Sequence, residues 1–422
     1  MKSNQQIYLR MQHDLLAASK IIQEVVQGKN IEKLFNQYIG KNHNISLVKD
    51  IVYGSIRDIY LNEYFLNKLI SVELKNLDIK YLLLNAFYQL SNQSIKSFTI
   101  VNENVKAAKL INNKFSGLVN GVLRNFLRKK PEFQDPFELR LKYSYPEWWV
   151  EKLKNQYPQD CEAILKIGNT RAPIFLRVNV KKITHTDYIN QLEKNNIKYE
   201  LILDKNYIQI NESINVQNLP GFVEGLIYIQ DPAAQLAINF LDLKNDLKIL
   251  DLCAAPGGKA THILERFNVL LDCYDINEER LSLIRDNLNR LGLQANILSQ
   301  LKTSHQYDRI LIDAPCSGSG VVRRNVDIKI MRREEDIKKF QNQQMQLLEQ
   351  GWSHLKKNGK LLYITCSIFN DENEDVIRLF LKKHTDVTLE KIHIPKDFSF
   401  IDSQLIPNSN HDGLFFQLLT KN

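Results

Sequence analysis

Cysteine is scarce in this 422-residue chain: there are five, an odd number, at spacings that match no metal-ligand pattern. That excludes a disulfide scaffold, argues against zinc or another bound metal, and points to a reducing compartment. Long apolar runs are missing too, and the longest falls far short of a membrane span. The opening MKSNQQIYLR has no apolar stretch of the kind a secretory signal needs. A cytoplasmic protein with no membrane partner is expected. The first 130 residues contain no proline and no strand-like alternation, which excludes a β-rich start.

What is present is ordinary in bulk and informative in pattern. Apolar residues make up 44% and charged residues 25%, as in a soluble globular protein, and the length suits two or three domains. The net charge of +8 is modest for the length, but its sign suits a polyanionic partner. Helical periodicity over Leu15–Gln27, Leu47–Ile70, Asp78–Leu90, Ser97–Leu110 and Gly117–Lys130 predicts an all-α bundle over 1–130. A boundary is expected at Pro131–Pro136. Residues 131–227 then read as linker helices followed by a small α+β unit, with strands near 174–180, 198–203 and 207–210 around a helix at 186–195. Residues 228–422 read as an α/β domain. Asp231 is placed to cap a short helix that begins at Pro232. Nothing in the sequence demands a dimer, and a monomer is expected.

The α/β domain is organised around KILDLCAAPGGKAT, residues 248–261. A short apolar strand runs into a turn of small residues and then a helix. This brings backbone N–H groups and a helix start to the carboxyl edge of a sheet, where nucleotide-like ligands bind. Cys253, Ala254, Ala255, Pro256, Gly257, Gly258 and Lys259 are therefore candidate cofactor residues. A second apolar run ends at Asp275, about twenty residues beyond the glycine turn, where an acid can accept from ribose hydroxyls. Capping of the helix that follows is the plainer role for Asp275. The turn is a poor G-x-G-x-x-G, which favours an adenosyl cofactor without a pyrophosphate over a nicotinamide. Two more strands run out into cysteine loops, Asp313-Ala314-Pro315-Cys316 and Thr365-Cys366-Ser367. In a parallel sheet all of these loops share one edge, so two thiols and a carboxylate converge beside the cofactor. Cys161 and Cys273 read instead as small buried hydrophobes.

Taken together, DLCAAPGGK, IDAPCSGSG and TCS resemble the RNA 5-methylcytosine methyltransferases, and the chain resembles the bacterial RsmB type (Sun or Fmu) along nearly its whole length. The resemblance implies a NusB-like helical RNA-binding domain, with Phe115–Arg124 matching its last helices, and a small RNA-binding extension. It also implies a Rossmann-like catalytic domain that uses S-adenosyl-L-methionine on 16S ribosomal RNA. It places Arg177 near the substrate path, although pairing with an acid is the alternative. Arg323 and Arg324 follow the Pro-Cys loop, where phosphates flanking a target base would lie; a salt-bridged solvated face is the plainer reading. One stretch departs from the family. Where relatives carry an acid on the adenine side of the cofactor, this chain has Ser299-Gln300-Leu301-Lys302, so Ser299, Gln300 or the backbone must serve there, or cofactor affinity is lower.

The chemistry accounts for two thiols. Cytosine C5 is a poor nucleophile until a thiolate adds at C6, which splits one hard step into easier ones. Asp313 is the candidate acid at the N3/N4 edge and also a candidate cofactor contact. The resemblance implies Cys366 as nucleophile and Cys316 as the group that assists release; residue chemistry alone leaves the two thiols unordered. Lys259 and the turn N–H groups are placed to lower a thiol pKa. An unstacked cytidine in a loop or single strand is the expected target. The alternatives are the same chemistry on transfer RNA or another ribosomal site, a NusB-like RNA-binding factor with an inactive catalytic domain and, more weakly, a nicotinamide oxidoreductase.

Overall fold

The computed structural model describes residues 2–92, 95–133 and 138–422. The chain forms two compact units, one from Met1–Asn169 with Asn325–Arg333, the other from Thr170–Arg324 with Glu334–Asn422. The first is helical, and its bundle is built from Lys2–Val26, Ile31–Tyr38, Ile45–Arg57, Ile59–Leu69, Leu77–Asn92, Ser97–Ile111 and Ser116–Lys129. Their apolar stripes meet in a core that includes Ile21, Ile51, Leu82, Phe87 and Phe126. Shorter helices, Leu139–Lys142, Glu147–Gln156 and Cys161–Gly168, belong to the same unit. Part of the expected Pro131–Pro136 boundary, from Gln134 onward, lies outside the described residues.

The helical pattern departs from expectation at two places. Ile31–Tyr38 is a helix too short to show a clear period; Asn30 caps it, its side chain accepting from Lys33 N at 3.1 Å. The expected helix over 47–70 is broken at Asp58, whose backbone (φ −103°, ψ 17°) is not helical. The second half is capped from a distance. Ser144 Oγ accepts from Tyr60 N at 2.9 Å, a partner 84 residues away that no local reading supplies.

Asn325–Arg333 enters the helical core. Val326 is part of it, and Lys329 is buried, with its ammonium donating to Arg57 O at 2.8 Å and Asn169 Oδ1 at 2.7 Å and lying 4.3 Å from the Tyr145 ring centroid.

The second unit carries two sheets. The small one has four strands, β1 (Ile174–Val178), β2 (Tyr199–Ile202), β3 (Tyr207–Ile210) and β4 (Ile227–Ile229), in the order β2-β3-β1-β4. All pairs are antiparallel, and the helix His185–Lys194 packs Tyr188 and Leu192 into their core. β4 includes Tyr228, the residue taken from sequence as the start of the catalytic domain; its pairing with β1 assigns it to the small sheet.

The large sheet holds β5 (Lys248–Asp251), β6 (Leu270–Tyr274), β7 (Asn296–Leu298), β8 (Tyr307–Asp313), β9 (Leu355–Thr365), β10 (Val387–Glu390), β11 (Phe400–Ile401), β12 (Gln404–Leu405) and β13 (Leu414–Lys421). Its order is β11-β12-β13-β9-β8-β5-β6-β7, with β10 also on β13. β7, β6, β5, β8 and β9 are parallel and β13 is antiparallel to β9. This is the expected Rossmann-like arrangement. Strand order reverses at β5, so the crevice at the carboxyl ends of β5 and β8 is the place for a ligand.

Candidate active site

Each segment singled out in the sequence reaches that crevice. β5 ends at Asp251, and Gly257, at φ +99°, turns the chain into the helix Gly258–Arg266. A side chain at Gly257 would be strained in this left-handed conformation. β6 delivers Asp275, which accepts from Ala255 N at 3.3 Å and Asn277 N at 3.0 Å. The cap of the following helix is Asn277, accepting from Glu279 N, so Asp275 is left to brace the glycine turn and face the crevice. β8 ends at Asp313 and β9 at Thr365, one residue before Cys366.

The thiols of Cys316 and Cys366 stand 3.2 Å apart. Lys259 Nζ donates to Asp313 Oδ2 at 2.5 Å. Burial opposes the lysine charge, but Asp313, Asp251 and Cys366 together raise its pKa, so it stays an ammonium. The Cys316 thiol is pushed well up, first by its hydrogen bond to Cys366 and then by burial. Asp251 is buried, and its carboxyl is pushed up to about 7 by burial and by Asp313. Its Oδ1 has no protein partner.

Two cavities meet at these groups. One, of about 410 Å³, is lined by Leu252, Tyr274, Asp275, Ile276, Arg280 and Pro315, with glutamines of the helix Glu334–His354 on a further wall. The other, of about 340 Å³, is lined by Phe175, Tyr228, Asp251, Pro256, Lys259 and Arg324. Cys253, Ala255, Asp313 and Cys366 line both. The first has a carboxylate acceptor for sugar hydroxyls and flat apolar walls for a ring, so its residues fit an adenosyl group. The second offers aromatic faces and a carboxylate, as a base pocket needs.

Glu372 is a part of the site that sequence reading missed. It lies buried behind the thiols, accepting from Ser317 N at 2.8 Å, Ser367 Oγ at 2.6 Å and Gln344 Nε2 at 3.1 Å. It therefore ties together the residues that follow each cysteine. In the sequence it stands in Asn370-Asp371-Glu372-Asn373-Glu374, which looks like a solvated stretch and carries no signal of burial. Gly320 knits the same loops: its N–H donates to Cys366 O, its carbonyl accepts from Gly413 N, both at 2.9 Å, and a Cβ there would stand 2.1 Å from Gly413 O.

A family profile described as 16S rRNA methyltransferase RsmB/F matches residues 238–420, a ferredoxin-like domain of RsmF/B-like methyltransferases matches 145–217, and the NusB family matches 11–128. The probable ribosomal RNA small subunit methyltransferase B of Coxiella burnetii is 38% identical over 95% of this chain and 98% of its own. The chain belongs to this methyltransferase B family. The Enterobacter sp. (strain 638) member is 36% identical over 96% of this chain and 98% of its own. The crystal structure of PH0851 superposes with a TM-score of 0.76 at 25% identity, covering 96% of this chain and 99% of that one. As a family member the chain is an S-adenosylmethionine-dependent 16S ribosomal RNA methyltransferase, and the likeness carried by DLCAAPGGK, IDAPCSGSG and TCS extends along its whole length. Among the described residues no helix is long and apolar enough to cross a membrane.

The three arginines expected to meet RNA differ in their surroundings. Arg177 is 4% exposed; it donates to both Glu265 oxygens at 2.8 Å, to Gln230 Oε1 at 2.5 Å and to Gly258 O at 2.7 Å. It is a strut from β1 to the glycine turn, the acid-paired alternative. Arg323 is 3% exposed and bound to Asp412 Oδ1 at 2.6 Å and Asn408 O at 2.8 Å. Arg324 lines the smaller cavity, and Asp412, Pro173 O and Asp231 each accept one of its five N–H groups. The buried Arg177 guanidinium, with its donors committed to Glu265, Gln230, Gly258 and Thr261, has little left for a phosphate. Ser299 and Gln300 do not line either of the two cavities.

Proposed function

We propose that this methyltransferase modifies cytosine at C5 through a covalent adduct between Cys366 and C6. The observation that carries the reading is the pair of thiols 3.2 Å apart where the two cavities meet, beside Asp313 and Lys259. When bound, S-adenosylmethionine supplies an electrophilic methyl group. The Cys366 thiolate adds to C6 of an unstacked base, and C5, now an enamine carbon, takes the methyl. Asp313, at the junction, balances charge at the N3/N4 edge. Removal of the C5 proton then lets the C6–S bond break, with Cys316 assisting. The order of the thiols is supported by their positions: Cys366 lines both cavities, whereas Cys316 lines only the larger.

The test is methyl transfer from labelled S-adenosylmethionine to unmodified small-subunit ribosomal RNA. Label is expected in 5-methylcytidine with the wild type. Cys366→Ala loses it, and Cys316→Ala accumulates a protein–RNA adduct. Label at another position of the base would overturn the C5 reading. Adduct trapping in Cys366→Ala, with transfer lost in Cys316→Ala, would reverse the thiols. RNA binding without transfer would favour a binding factor with an inactive catalytic domain.

A further inference from the structure

The larger cavity beside the thiols has one wall without an assigned role. Gln343, Gln346 and Gln350 line it from the helix Glu334–His354, and at steps of three and four residues they share one helix face. Their side-chain amides have no hydrogen-bond partner among the described residues. Gln341 and Gln344 of the same helix are fastened instead, to Asp371 O at 2.7 Å and Pro315 O at 3.0 Å. The helix thus has one set of amides tied into the protein and another left with free donors and acceptors at the cavity. A second observation concerns Ile276, which lines the same cavity and is 84% exposed, an apolar side chain without protein cover.

We propose that Gln343, Gln346 and Gln350 recognise the edge of the cofactor's adenine ring, with Ile276 covering its face. This rests on reading that cavity as the one that holds the cofactor. The adenine edge presents the N6 amino donor beside a ring-nitrogen acceptor. A primary amide carries an acceptor and a donor in one plane and satisfies both together, as Asn and Gln do when they read adenine in nucleic acids. A carboxylate only accepts and would meet the amino group alone. Of the carboxylates that line the cavity, Asp275 is braced against the glycine turn and Asp313 is bound by Lys259, so the neutral amides are the groups free for a base edge.

The test is calorimetric binding of S-adenosylhomocysteine, and of its analogue with hydrogen in place of the 6-amino group, to the full chain. The proteins are the wild type, Gln346→Ala, Gln343→Ala/Gln350→Ala and Asp275→Asn, each checked for an unchanged thermal transition. The wild type is expected to prefer the amino-bearing ligand about five- to tenfold, the scale of one or two net hydrogen bonds. That preference should shrink toward one in at least one glutamine variant, because the deletion in the ligand and the deletion in the protein remove the same contact. Asp275→Asn should weaken both ligands equally. No preference in the wild type, or an unchanged preference in every glutamine variant, overturns the proposal. If Asp275→Asn also leaves both affinities unaltered, the cavity assignment falls with it; if Asp275→Asn weakens binding, only the glutamine role falls.

Discussion

Lys259 is the residue on which the charge balance of the crevice turns. It is the ammonium beside Asp313 and Asp251, and it is close enough to Cys366 to register that thiol. Lys259→Met should lower single-turnover methyl transfer about 10²-fold, the scale for removing one preorganised electrostatic partner, while S-adenosylhomocysteine binding changes much less. His411 makes a separate prediction about stability. It is buried; Asn408 Nδ2 donates to its Nε2 at 2.9 Å, which leaves the proton on Nδ1, 3.0 Å from Asp412 O. Burial pulls its pKa down to about 4. An unfolded histidine titrates near ~6.5, so between these values the unfolded chain binds the extra proton. The His411 contribution is therefore fully present above the upper value and is lost as pH falls through the lower one. Asp231 and Asp251, both raised to about 7, act in the opposite sense over the same range. The comparison that isolates the histidine is the difference in urea midpoint between wild type and His411→Gln, which should narrow steadily from pH 7 to pH 4.5.

At the scale of elements, the catalytic loops are held from behind. Glu372 accepts from the residue after each cysteine and from Gln344, whose amide also reaches Pro315 O. Glu372→Ala strands several buried donors, and a loss of about 3 kcal/mol is expected by chemical denaturation, together with slower adduct formation. Glu372→Gln keeps an acceptor and should recover much of the stability. Gly320→Ala puts a methyl 2.1 Å from Gly413 O and should cost activity more than any other single methyl added in this loop, measured by adduct formation under single turnover. In the helical unit, Ser144→Ala removes the remote cap of Ile59–Leu69, and about 1 kcal/mol should be lost from thermal unfolding. The helices and parallel strands themselves were legible from period and from the glycine turn. The break at Asp58 was not, because the Ser144 hydroxyl that caps the helix after it lies far along the chain. Glu372 was invisible for a similar reason: an acid among polar neighbours shows its burial only when two loops close over it.

At the scale of the whole molecule, the chain visits the helical unit twice. Having formed the Pro-Cys loop, it returns as Asn325–Arg333 before resuming the catalytic unit at Glu334. Val326 and the buried Lys329 make that return part of the helical core rather than a surface loop. The pKa of Lys329 is lowered to about 7, with burial as the main cause, while Arg57 O and Asn169 Oδ1 accept from the ammonium. A fragment of residues 1–169 should therefore melt at lower temperature than it does with a synthetic 325–333 peptide added in excess, and a peptide carrying Val326→Asp should not restore the difference. Sequence pattern cannot tell a charge that returns to a core from one that faces water.

The order of elements, the motif loops and the edge of the sheet on which they gather were set by sequence, because glycine turns, apolar runs and the right-handed parallel crossover leave few other arrangements. Family membership was likewise written in DLCAAPGGK, IDAPCSGSG and TCS. Tertiary structure decided which polar side chains are spent inside the protein and which remain free. Arg177 and Arg323 are consumed by Glu265 and Asp412, whereas Gln343, Gln346 and Gln350 are left facing a cavity. A charged or polar side chain is assigned by the partner it finds when buried, and that partner lies 88 residues from Arg177 and 89 from Arg323, beyond the reach of any local pattern.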